Sequence, residues 1–172
     1  MSTRAHAEQH IEVHKFYGGA TVAVTFLALV VQAFLNKYGG WAGALELPLL
    51  VTIYFSLSRR NPSTGLLLGA SIGILQDAVS HMPIGYYGIA KTLVGYAASS
   101  IGGRMDTEHP VSRFFAVVVF FHFHGIVLTL LDRLLLARTA PYFSWKLLVA
   151  SVVNAAVGVL LFAALDRLRK PS

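Results

Sequence analysis

Residues 65–102 read GLLLGASIGILQDAVSHMPIGYYGIAKTLVGYAASSIG and carry the strongest fold signal in the chain. Two apolar runs, Gly65 to Val79 and Ile84 to Gly102, flank the turn His81-Met82-Pro83. Each approaches the roughly 20 residues that cross a hydrocarbon core, where a backbone must satisfy its own hydrogen bonds and is therefore helical. Gly65, Gly69, Gly73 and Asp77 recur every four residues and form one stripe on the first helix. On the second, Gly85, Gly88, Thr92, Gly95, Ser99 and Gly102 alternate three- and four-residue steps. Small residues at such spacings let two helix backbones approach closely in lipid. The pair is expected to form a tight hairpin, with the seams used inside it or at a partner interface.

Working outward, the same apolar texture continues in both directions. Toward the N-terminus lie runs from Gly18 to Asn36 and from Leu45 to Leu57, the latter ending at Ser58-Arg59-Arg60. Toward the C-terminus lie runs from Ser112 to Leu136 and from Phe143 to Leu165. The expected fold is all-α: a polytopic membrane protein of about six transmembrane helices. Residues 18–166 form the membrane domain, residues 1–17 a cytoplasmic amphipathic segment, and residues 167–172 a basic cytoplasmic tail.

Composition agrees with a membrane class. Hydrophobic residues make up 55% of the 172-residue chain and charged residues 13%, about half the charged share of a soluble domain. Mean hydropathy is +0.62. Too few charges remain to build a water-facing surface. The net charge of +6 is read as a loop bias rather than a nucleic-acid signal. Arg4, Lys15, Arg59, Arg60, Arg104, Arg113, Arg167, Arg169 and Lys170 fall on one side of the alternating layout. Lys37, Arg133, Arg138 and Lys146 fall on the other, and Lys91 lies within a span. Positive charge prefers the cytoplasm, so both termini are expected there. The absence of cysteine excludes disulfides and thiolate metal sites. The polar first sixteen residues have no hydrophobic core of a cleavable signal peptide.

The intramembrane charges stand out, because an aspartate in mid-membrane costs about 2.5–3.5 kcal/mol on insertion scales. Helical side chains lean toward their own N-terminus, which in an antiparallel hairpin brings Asp77 and Lys91 together. An Asp77–Lys91 ion pair is expected; the alternative is that each snorkels separately to the interface.

Three chemical-looking signals are weighed and set aside. Gly69-Ala70-Ser71-Ile72-Gly73 matches a nucleophile elbow, but that motif needs a strand-to-helix turn, and here it sits within an apolar helix. His6, His10 and His14 would share one helical face and could bind a metal, yet they fit an interfacial lead-in to the first span. His122 and His124 point to opposite sides of one helix and cannot chelate one ion, although one could bond to a neighbouring helix. No catalytic residue, cofactor site or metal site is assigned.

The run from Leu45 to Met105 resembles the rod shape-determining protein D (MreD) family. The features that carry the resemblance are the short span Leu47 to Leu57 followed by Arg59-Arg60, the helix with Gly69, Gly73 and Asp77, then Ile84-Gly85 and Leu93-Val94-Gly95-Tyr96. Gln76 and Lys91 are extra polar groups, and Glu46 stands near the place of the family's acidic residue. The resemblance implies a fold like the substrate-binding (S-component-like) subunits of vitamin transporters. It also implies a non-enzymatic inner-membrane scaffold in the cell-elongation, peptidoglycan-synthesising complex. The implied partners are an MreC-like single-span protein, an MreB-like actin homologue, and RodA with its transpeptidase. The competing function is a substrate-binding membrane subunit of a small-solute, vitamin-type transporter, which the same fold could support.

Overall fold

A computed structural model describes residues 18–40, 42–138 and 144–169. The His6, His10 and His14 stripe and the expected N-terminal segment lie outside them. Among the described residues the regular elements are all helical. They are α1 (Gly18–Tyr38), a 3-10 turn (Ala42–Ala44), α2 (Leu47–Arg59), α3 (Pro62–Ser80), α4 (Tyr86–Ile101), α5 (Pro110–Leu135) and α6 (Trp145–Asp166).

The boundaries follow from local chemistry. Asn61 accepts a hydrogen bond from the Thr64 amide at 3.1 Å, and Pro62 occupies a first-turn position whose amide would lack a partner anyway. Ser144 accepts from the Leu147 amide at 3.2 Å and starts α6 in the same way. Helices α2 and α3 end at left-handed Arg60 and His81, whose amides bond back to the Ser56 and Asp77 carbonyls.

The chain runs up and down. Arg59 at the end of α2 reaches Thr21 near the start of α1, and Arg113 near the start of α5 reaches Asp166 at the end of α6. Gln32, late in α1, accepts from the first amide of α2. Helix α2 is the core: every residue from Pro48 to Ser58 is buried.

Helices α3 and α4 are in backbone contact. A β-carbon at Gly65 would collide with the Gly95 carbonyl, one at Gly69 with the Lys91 carbonyl, and one at Gly73 with the Tyr87 carbonyl. Gly95 meets the Gly65 carbonyl reciprocally. Gly88 faces Ile74 and Asp77, while Gly102 abuts the Leu57 carbonyl of α2. Gly85 serves differently: its φ of +100° turns the chain into α4.

The expected count of about six spans is corrected. Among the described residues, three helices are long and apolar enough to cross a membrane: α1, α5 and α6, with best-window hydropathies of 2.0, 2.3 and 2.4. Helix α2 has 13 residues and α4 has 16, roughly 20 and 24 Å at 1.5 Å per residue, short of a core of roughly 30 Å. Helix α3 has the length, but glycines, Ser71, Gln76 and Asp77 dilute its apolar content. The physical reasons differ. Helix α2 is surrounded by other helices, whereas α3 and α4 replace large apolar side chains with glycine along their contact.

Candidate functional site: a buried charge network at one end of the bundle

At the end where α2 begins, side chains from five helices converge around Glu46. The helix start comes first. Glu46 precedes α2 but does not cap it with its own side chain. Instead its backbone amide donates to Asn154 Oδ1 of α6 at 2.9 Å, and the Leu47 amide donates to Gln32 Oε1 of α1 at 2.9 Å. Asn154 also donates to the Ala44 and Ala150 carbonyls, each at 2.8 Å. Two of the amides that the start of α2 leaves open are thus satisfied from neighbouring helices, and the Glu46 carboxylate takes no part in capping.

That carboxylate turns inward. Its Oε2 lies 3.7 Å from Lys91 Nζ of α4 and accepts a hydrogen bond from Gln76 Nε2 of α3 at 3.4 Å. Lys91 is fully buried, with its ammonium 3.4 Å from His124 Nε2 of α5 and 4.7 Å from the centre of the Tyr87 ring. The Tyr87 and His124 rings stack at 6.2 Å. A buried ammonium is tolerable only with such compensation: a carboxylate, an imidazole lone pair and an aromatic face.

Asp77 does something else. Its carboxylate accepts amide hydrogens from Gly85 at 2.8 Å, Tyr87 at 2.7 Å and Gly88 at 3.2 Å. These are the open amides at the N-terminus of α4, where the helix dipole also favours negative charge. The expected direct Asp77–Lys91 pair is corrected accordingly. The hairpin does bring both residues to one region, but the backbone engages Asp77, and the partner of Lys91 is Glu46. The reason is proximity along the chain: a carboxylate one turn before a hairpin meets the next helix's amides first.

Ser71 is exposed and donates to the Leu67 carbonyl one turn back at 2.8 Å. Of the histidine pair, His124 is buried in the network and His122 is half-buried. Sequence reasoning missed the convergence of Glu46, Gln76, His124, Gln32 and Asn154. The available signal was their polarity within otherwise apolar helices.

The opposite end carries a second network. Arg113 pairs with Asp166 at 2.7 Å and donates from Nε to the Thr107 carbonyl at 2.7 Å. Arg169 pairs with Asp166 at 2.7 Å and with Glu108 at 3.0 Å, and the Tyr54 hydroxyl donates to Asp166 at 3.0 Å. In the loop before α5, the Glu108 and His109 amides hold the Asp106 carboxyl below its usual range.

Long apolar helices around a core whose charges are paired with one another define a helical membrane protein. The family model for rod shape-determining protein MreD matches residues 16–168. The chain belongs to the MreD family. No curated protein and no solved structure matches it, so the expected likeness to transporter substrate-binding subunits gains no support from them.

Proposed function

We propose that this protein is a non-enzymatic interaction subunit of the bacterial cell-elongation complex, held in the inner membrane. The family match over residues 16–168 carries the reading. The network supports it, since its charges are directed at one another and at backbone amides. The partners in this reading are the MreC-like single-span protein, the MreB-like actin homologue, and RodA with its transpeptidase. Because the glycine seams close on each other within the α3–α4 hairpin, a partner helix meets the outward apolar faces instead. Val22 and Phe26 of α1, Leu67 and Leu75 of α3, and Phe115 and Val119 of α5 are all exposed.

The outward apolar residues of α3 and α4, including Ile74, Ile89 and Leu93, support a hairpin that packs beside the longer helices with its apolar face toward lipid. The excess of Lys and Arg at the Arg59, Arg104 and Arg169 end makes that end cytoplasmic. The chain has no cysteine, so single cysteines can be added on a clean background. A membrane-impermeant maleimide applied from the periplasm labels cysteine at Lys146 and not at Arg104 in this topology. The reverse pattern overturns it.

A pull-down in mild detergent from native membranes, read by mass spectrometry, tests the function. Recovery of the single-span or actin-like elongation proteins is the expected result. Recovery of an ATPase-coupled transmembrane subunit or a bound vitamin, without wall-synthesis proteins, replaces this reading with the transporter one.

A further inference from the structure

Helices α5 and α6 meet closely near the Arg113–Asp166 pair and again at Gly158, where a β-carbon would crowd Val117. At the Glu46 end they enclose a cleft of about 350 Å³. Phe121 and Leu128 of α5 and Leu147 of α6 give it apolar walls, and His124 lines it from the network side. Its polar groups are of opposite sign. Glu46 contributes a carboxylate whose side chain is 18% exposed, and only its Oε2 is engaged by Lys91 and Gln76. Lys146 lies in the first turn of α6, exposed and outside the ion pairs of the described residues, beside that helix's positive dipole end. The adjacent Trp145 is 75% exposed, as expected of an aromatic at headgroup level.

An acidic wall, a basic wall and an apolar floor at headgroup depth fit one amphiphile. We propose that this cleft binds a zwitterionic aminophospholipid. Its primary ammonium sits against Glu46 and its phosphate against Lys146, beside the positive end of α6. The acyl chains leave between α5 and α6. The ammonium donates charge-assisted hydrogen bonds to the carboxylate oxygen that Lys91 and Gln76 leave open, which a quaternary headgroup cannot do, and an uncharged glycerol headgroup brings no second cation. The site is independent of the scaffold reading, because it concerns only what the cleft holds.

The full-length protein is reconstituted in phosphatidylglycerol vesicles containing a trace of phosphatidylethanolamine with a photoreactive acyl chain. Labelling is expected on α5 and α6 peptides around the cleft. Unlabelled phosphatidylethanolamine should compete, and phosphatidylcholine should not. Lys146 is exposed, so Lys146→Glu should preserve the fold, checked by its melting temperature. It should cut labelling about tenfold, the loss of one charge-assisted contact, while Lys146→Arg retains it. Lys37→Glu, at the same end on α1, serves as the control and leaves labelling intact. Glu46→Gln should abolish the preference over phosphatidylcholine. Labelling that ignores Lys146→Glu, or equal competition by phosphatidylcholine, overturns the proposal.

Discussion

The two ends of the bundle use charge in opposite ways. At the Arg113 end the contacts are short, 2.7 to 3.0 Å, and Asp166 keeps 27% of its side chain exposed. At the Glu46 end the contacts of Lys91 are long, 3.4 to 3.7 Å, yet Lys91 is fully enclosed. Arg113 is itself buried, but Asp166 and Arg169 keep contact with water, which lowers the desolvation cost of those short bonds. Long bonds within the bundle hold an ammonium that has nowhere else to go. The first end clamps α6 to α5, α2 and the loop before α5, whereas the second ties α3, α4 and α5 to the start of α2. Burial, more than bond length, sets how much each network matters for the fold.

The largest expected effect tests whether the Glu46 end depends on the α3–α4 contact. Gly69→Leu forces a side chain into the Lys91 carbonyl and should destabilise by more than about 4 kcal/mol, because backbone cannot yield as side chains do. Loss of a monodisperse, protease-resistant species in detergent is the readout. Gly103→Leu, in open space, should behave like the parent. Gly95→Leu that folds normally would show that the seam is not closed within the hairpin.

Next comes the buried pair itself. Lys91→Met should cost roughly 3–5 kcal/mol by leaving Glu46 uncompensated, and adding Glu46→Leu should recover much of that. Double-mutant cycles in SDS unfolding sharpen the comparison. Coupling of Lys91 to Glu46 should exceed its coupling to Asp77. A larger Asp77 term would restore the pairing expected from sequence. Asp77→Ala should instead cost about 1–3 kcal/mol through the start of α4, with Asp77→Asn keeping part of the acceptor function.

At the opposite end, Arg113→Ala should cost about 1–3 kcal/mol, less than Lys91→Met, because Asp166 retains Arg169. Salt should weaken the contribution of the Arg169–Glu108 pair, whose carboxylate is 67% exposed, and leave that of Lys91 nearly unchanged. Equal salt sensitivity would erase the contrast drawn between the ends. The smallest effect belongs to Asp106. Its folded pKa is depressed by amide hydrogen bonds, so its small contribution is complete above an ordinary aspartate pKa of about 3.9. It disappears as pH falls through the lowered folded value. A carboxyl-carbon NMR titration would locate that midpoint, and one at or above 3.9 would contradict the loop geometry.

Part of the site was legible in sequence. Lys91 and Asp77 were recognisable as costly charges in apolar helices, and the glycine spacings announced close packing between α3 and α4. Glu46 was not legible as the lysine's partner, because it lies 45 positions away on another element. Nor could local sequence say that Asn154 and Gln32 would satisfy the start of α2. Those bonds span 108 and 15 residues and exist only once α1, α2 and α6 are assembled.

By itself the sequence determined the membrane class, the helical backbone, the turn positions and the family. Each follows from local composition: apolar length, glycine spacing, proline and asparagine at helix starts. Assembly of the helices sets that α2 lies inside, that three helices among the described residues, rather than six, have membrane-spanning length and hydropathy, and which carboxylate meets Lys91. Those outcomes depend on which helices surround which, and a buried charge selects its partner by distance in space, which spacing along the chain does not encode.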